Sequence, residues 1–200
     1  MLMLIKDNNE LKGMMMEMLV NGANNYNNSH NITNSNNKAF NLNLFLNETC
    51  KDAMNITDFI KSIHINLEDL ENTGRKGYIE GISNIFLKNL NNLEDHMRPL
   101  HCCDLKREIL YVKDNDKWER DVSSKTILTK AIKTLAGENI KQIQHWRDKY
   151  PDCTNSESRK NDLYLKIVSN SMNGLTEEEG KKNINKIISN LAKEVVIEKG

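Results

Sequence analysis

A chain of 200 residues with 28 basic and 28 acidic side chains carries no net charge, so no whole-protein field draws it to nucleic acid or to a membrane surface. At 38%, its hydrophobic residues suffice for one modest core. Four cysteines without framework spacing, no secretory leader and no membrane-length apolar run together point to a reduced, intracellular protein.

The charge is uneven: residues 1–100 carry 9 basic and 12 acidic side chains, and residues 101–200 carry 19 and 16. An electrostatic site is therefore expected in the second half. Along residues 1–20, Leu11, Met14 and Met18 stand on an a-d-a seam, predicting an amphipathic helix suited to coiled-coil self-association. Residues 21–39 open an asparagine-rich run that cannot bury enough apolar surface to offset its ordering entropy, and read as a linker. A single folded domain is expected over 40–197.

Leu42, Leu44 and Leu46 alternate with asparagines, predicting a short strand over 42–46. Short helices are expected over 48–54, over 58–64 behind Thr57, and over 67–72 behind Asn66, with the two glycines of ENTGRKG breaking the chain. Ile79, Ile82, Phe86, Leu90 and Leu93 then mark an amphipathic helix. Residues 108–122 read as a β-hairpin turning at Asn115-Asp116, with Trp118 inward. Helices over 125–136 and 138–149 flank Gly137, which suits the position just past a helix end. Capping boxes at Thr154–Glu157 and Thr176–Glu179 open two more, the last with an Ile184, Ile187, Ile188, Leu191 and Val195 stripe. The fold class is α+β, predominantly helical, with a small antiparallel sheet.

Four chemistries compete over RPLHCCDLKREILYVKDNDKWERD (residues 98–121). His96, His101, Cys102 and Cys103 are soft or borderline ligands, but adjacent cysteines rarely reach one zinc ion, so no metal ligand is assigned. His101 beside Cys102 or Cys103 lacks the separation typical of a nucleophile and its base. Asp104-Leu105-Lys106, with Glu68, Asp69 or Asp95, is the minimal set for a metal-dependent nuclease. The better reading is contact with DNA or RNA. Residues 124–150 carry a local charge of +4 and match a helix-turn-helix template in part, and the hairpin would lie as a wing over phosphates.

The blocks FNLNLFLNETCKDAMNITDFI, GYIEGISNIFLKNL, RPLHCCDLKREILYVKDNDKWERD, KNDLYLKIVSNSM and NKIISNLAKEVVI, in that order over about residues 40–197, resemble a group of uncharacterised proteins of large DNA viruses. In that group a Cys-Cys-His-His zinc finger and a coiled coil precede this domain. Here no finger is present, and NNELKGMMMEMLV stands for the last heptads of the coil. The resemblance implies a homo-oligomer that handles nucleic acid in the viral replication compartment or the virion. It carries over no catalytic residue or cofactor.

The leading expectation is a non-enzymatic module that binds nucleic acid through Lys106, Arg107, Lys113, Lys117, Lys130, Lys133, Lys141 and Arg147, with Trp118 or Trp146 stacking on bases. The rival from another class is a structural or protein-interaction module, and a metal-dependent nuclease is third.

Overall fold

The computed structural model describes residues 40–121 and 125–198. The expected helix over 1–20, the linker over 21–39 and the end of the hairpin at 122 lie outside them. The described chain is mostly helical, with one three-stranded antiparallel sheet in the order β1-β2-β3. None of the described helices is long and apolar enough to cross a membrane.

The first segment departs from its strand pattern. Leu42–Leu44 is one turn of α-helix (α1), and Phe45–Thr49 continues it as a π-helix. The Asn41 side chain accepts from Leu44 N at 3.1 Å and coils the chain, so Leu46 is buried while Leu44 is 60% exposed. A strand also needs an edge to pair with. The free edge of β1 is taken elsewhere: Cys102 N donates to Val195 O at 2.7 Å, and Ile197 N to Cys102 O at 2.9 Å. The helix expected over 48–54 is the end of the π-turn followed by a bend.

Helix α2 (Ile56–Ser62) begins at Asn55, two residues before the expected Thr57 cap. Asn55 is used across the fold instead: its Oδ1 accepts from Asp116 N at 2.8 Å, and its Nδ2 donates to Asp116 Oδ1 at 3.0 Å. That grip holds the β2–β3 turn, where Asn115 and Asp116 both take positive φ (48° and 60°), the conformation of a type I′ hairpin.

Helix α3 (Leu67–Lys76) opens with a reciprocal Asn66–Asp69 capping box and runs through Gly74 to Gly77, beyond the expected end at 72. Gly74 is required by packing. A methyl group there would stand 2.5 Å from Ile167 Cγ1, so the glycine lets α3 lie against a later helix. Helix α4 (Tyr78–Leu90) buries Ile82, Ile85, Phe86 and Leu90, with Ile79 and Leu93 packed at the margin.

The HCCD run is itself a strand. β1 (Leu100–Asp104) pairs with β2 (Ile109–Asp114), which pairs with β3 (Lys117–Arg120). Leu100, Cys102, Leu110 and Val112 enter the main core, whereas His101 is buried against the Cys50 side chain. The β1–β2 turn carries Glu108 at φ 47°, and Lys125 stands at φ 45°. These two left-handed residues are tied by an ion pair, and Ser189 Oγ donates to the same carboxylate, whose pKa is lowered chiefly by those two hydrogen bonds.

The largest correction concerns the helix pair around Gly137. Residues Thr126–Lys149 form one helix of 24 residues (α5). Its N-terminus is capped at a distance by buried Asp121, whose carboxylate accepts from Ile127 N at 3.4 Å and Leu128 N at 3.1 Å. Leu128, Ile132 and Leu135 pack in the main core, and Trp146 anchors a second cluster with Leu70, Cys153 and Ile167. A mid-helix glycine costs only about 1 kcal/mol, less than the burial of Leu135 and Ala136 on one side and Trp146 on the other. No turn exists, so the helix-turn-helix template fails.

Helix α6 (Arg159–Asn170) is capped by Ser158 rather than Thr154, which lies in a 3-10 turn at Pro151–Thr154. Helix α7 (Glu177–Glu194) starts behind Thr176 as expected, and Ile184, Ile187, Ile188, Leu191 and Val195 are all buried in the main core.

Two glycine substitutions test this arrangement. Nothing lies within 4 Å of a Cβ placed at Gly137. Gly137→Ala is expected to stabilise by up to about 1 kcal/mol, raising Tm by about 2–4 °C. Gly74→Ala is expected to lower Tm through its clash with Ile167. Thermal melts by circular dichroism check both, and a lower Tm in Gly137→Ala would contradict the continuous helix.

Candidate functional site

The ITDFIKSIHI run folds as α2 and the extended segment after it. Lying beside α5, it leaves an open trough in two joined parts, with volumes of ≈ 380 and ≈ 240 Å³. Ile60, Lys61 and Thr134 line both parts. The floor is Ile56, Ile60, Ile63 and Ala131, all buried, with Ile65 and Ile127 partly buried beside them. Along α5 the lining runs from Thr126 to Gln142, about 24 Å at 1.5 Å per residue. Polar groups stand at the rim: Lys61, His64, Asp114, Lys130, Glu138 and Gln142. An aliphatic floor with a charged rim is the chemistry of a surface that accepts the apolar side of another segment.

Of the basic residues selected from sequence, Lys130, Lys133, Lys141 and Arg147 are exposed on α5, and Lys141 is ion-paired to Glu138 at 2.7 Å. Lys106 and Arg107 lie in the β1–β2 turn, while Lys117 begins β3 at the opposite end of the hairpin strands. They do not share one edge with each other. Lys113 is not a surface cation: it is 6% exposed, and its Nζ donates to the Lys51 carbonyl. The two tryptophans differ in exposure. Trp146 is fully buried and donates to Glu71 Oε1 at 2.9 Å, and the half-buried Trp118 ring packs 5.4 Å from that of His101.

The nuclease set does not assemble either. Asp104 Oδ1 accepts from Arg107 N at 3.0 Å and closes the β1–β2 turn, while Asp69 serves the α3 capping box and binds Lys88 at 3.1 Å. Among the described residues no group of three or more His, Cys, Asp or Glu is placed to hold a metal ion.

The histidine partner that sequence reasoning missed is Cys50. The π-turn places Cys50 Sγ 3.5 Å from His101 Nε2, and Phe45 packs edge-on to the imidazole at 5.1 Å. Burial pushes the Cys50 thiol up to about 11, with Lys113 opposing and Asp95 reinforcing the shift. Burial also brings His101 down to about 4, helped by the Arg98 guanidinium and opposed by Asp95. Both groups are neutral near pH 7. A nucleophile needs a thiolate, so this is a resting, structural contact rather than an activated pair.

No family model matches the chain, and neither does any curated protein or solved structure.

The His101 shift has a stability consequence. Between its unfolded value of 6.5 and its folded value of about 4, the unfolded chain holds a proton that the native state lacks, so stability falls as pH falls through that window. The full shift corresponds to about 3 kcal/mol. Urea melts at pH 7 and pH 4 are expected to show that the native chain loses this much more stability than His101→Gln does. Equal losses in the two proteins would contradict the buried neutral imidazole.

Proposed function

We propose that this domain is a non-enzymatic protein-interaction module that takes a segment of a partner into the trough between α2 and α5. The observation that carries the reading is the trough itself, open along its length over buried Ile56, Ile60 and Ile63, with Ile65 and Ile127 partly exposed beside them. A helix of about four turns matches the 24 Å of lining along α5. The neutral, buried Cys50–His101 pair and the dispersed carboxylates support binding over catalysis. The resemblance to proteins of large DNA viruses leads us to place such a module in the viral replication compartment or the virion. Self-association through residues 1–20 would make it multivalent.

A second reading, polyanion binding along α5, is favoured by one observation. Lys130 and Lys133 are exposed one turn apart on α5, with the Glu177 carboxylate facing Lys133. It leads to affinity for labelled DNA or RNA that drops steeply between about 50 and 200 mM salt. Absence of binding at the lower salt would remove it.

Selection from a displayed library of helical 16-residue peptides against the full chain tests the interaction reading. Thr134 is exposed and lines both parts of the trough, so Thr134→Trp fills it without disturbing the core. Selected peptides are expected to bind Thr134→Trp at least tenfold more weakly. Peptides that ignore this substitution would contradict the proposed site.

A further inference from the structure

We infer that a second face of the domain, the groove between α5 and α7, follows the phosphate backbone of a nucleic-acid duplex. The inference goes beyond the trough. It rests on the polyanion reading and moves it to the side of α5 away from Lys130. Thr129 and Lys133 line one wall, and Gly180, Lys181, Ile184 and Asn185 the other, around an open cavity of ≈ 520 Å³. At one end the groove meets the β1–β2 turn, because Glu108 is ion-paired to Lys125, just ahead of α5, and accepts from Ser189 Oγ on α7. That contact sets Lys106 and Arg107 of the turn beside Lys186 and Lys193, which stand one turn to either side of Ser189.

The charge on this face is unbalanced. The turn contributes Lys106 and Arg107, the α5 side Lys125 and Lys133, and α7 Lys181, Lys186 and Lys193. Three carboxylates face them. Asp104 stands 3.9 Å from Arg107, Glu108 meets Lys125 and Lys193, and Glu177 is 2.8 Å from Lys181 with Lys133 beyond it. Seven cations against three carboxylates leave a net charge of +4. The other nearby acids do not reduce it. Glu178 is cancelled by Lys182 at 2.8 Å, Glu179 and Glu194 line other cavities, and Asp121 is buried against the α5 N-terminus. Shape and lining then choose among polyanions. From Glu177 to Lys193, α7 runs about 24 Å at 1.5 Å per residue, the length of about seven phosphates of one duplex strand. Single strands are held by bases stacked on aromatic rings, and no Phe, Tyr or Trp lines the cavity.

Anisotropy titrations of the full chain test the inference with a labelled thymidine strand and with labelled DNA and RNA duplexes, which separate the two sources of that backbone. With four phosphates neutralised, duplex affinity is expected to fall about a hundredfold between about 50 and 200 mM salt. The variant Lys106→Ala/Lys133→Ala/Lys186→Ala removes one exposed cation from each element. Its duplex affinity at the lower salt is expected to drop at least tenfold, and its slope of log affinity against log salt to shrink by about three. Lys130→Ala is expected to change neither. All four positions are exposed, and circular dichroism verifies folding. Absence of duplex binding at the lower salt, or tighter binding of the thymidine strand than of either duplex, would overturn the inference. Duplex binding kept in the triple variant but lost in Lys130→Ala would overturn the groove and leave polyanion binding on the other side of α5. None of these results touches the trough, which the peptide selection tests separately.

Discussion

The unbroken helix α5 is the constraint on which the rest of the molecule depends. Its buried side joins two apolar clusters, one through Leu128, Ile132 and Leu135 and the other through Trp146. Its outer side supplies one wall of the trough and all the basic residues between 130 and 147. If the helix broke at Gly137, the second cluster would lose its register with the first, and the wall from Thr126 to Gln142 would not exist. The capping of α5 is correspondingly indirect. The Lys125 side chain makes no capping hydrogen bond to the helix; the Asp121 carboxylate, at the end of the sheet, accepts from Leu128 N, and Glu108 is ion-paired to Lys125, which stands in a left-handed conformation.

The sheet is small, and each of its edges is managed. On the β1 side, Val195–Ile197 adds backbone hydrogen bonds to Cys102, tying the end of α7 to the strand. On the other side β3 presents Lys117, Glu119 and Arg120 to solvent, and charge on an edge strand discourages pairing with other chains. The proposed partner site accordingly lies on the helices, in the trough between α2 and α5.

Legibility in the sequence followed the length and uniqueness of each pattern. Helices α4 and α7 were readable because four or five large apolar residues repeat at helical spacing with no competing period. Residues 42–46 were not, since five alternating residues fit a strand as well as a coil; the Asn41 cap favours the coil, and Val195–Ile197 already occupies the β1 edge. Gly137 looked like a stop because the burial on both sides that carries the helix through it is a tertiary fact. Strand β1 was masked by its own chemistry: HCCD drew attention as a ligand set, while its alternation of Leu100 and Cys102 inward was too short to stand out. The Cys50–His101 contact joins residues 51 apart and could not be read from spacing. For the trough there was a signal, the isoleucines of ITDFIKSIHI, but the element that completes it lies more than sixty residues downstream.

Amide hydrogen exchange along α5 tests the central claim most directly. In a continuous helix the N–H groups of Glu138, Asn139, Ile140 and Lys141 each bond a carbonyl four residues earlier, so they are predicted to be protected as strongly as those of residues 131–135. A helix restarting after Gly137 leaves those four donors without intrahelical partners. Fast exchange confined to residues 138–141 would contradict the single helix, and with it the trough that the functional account requires.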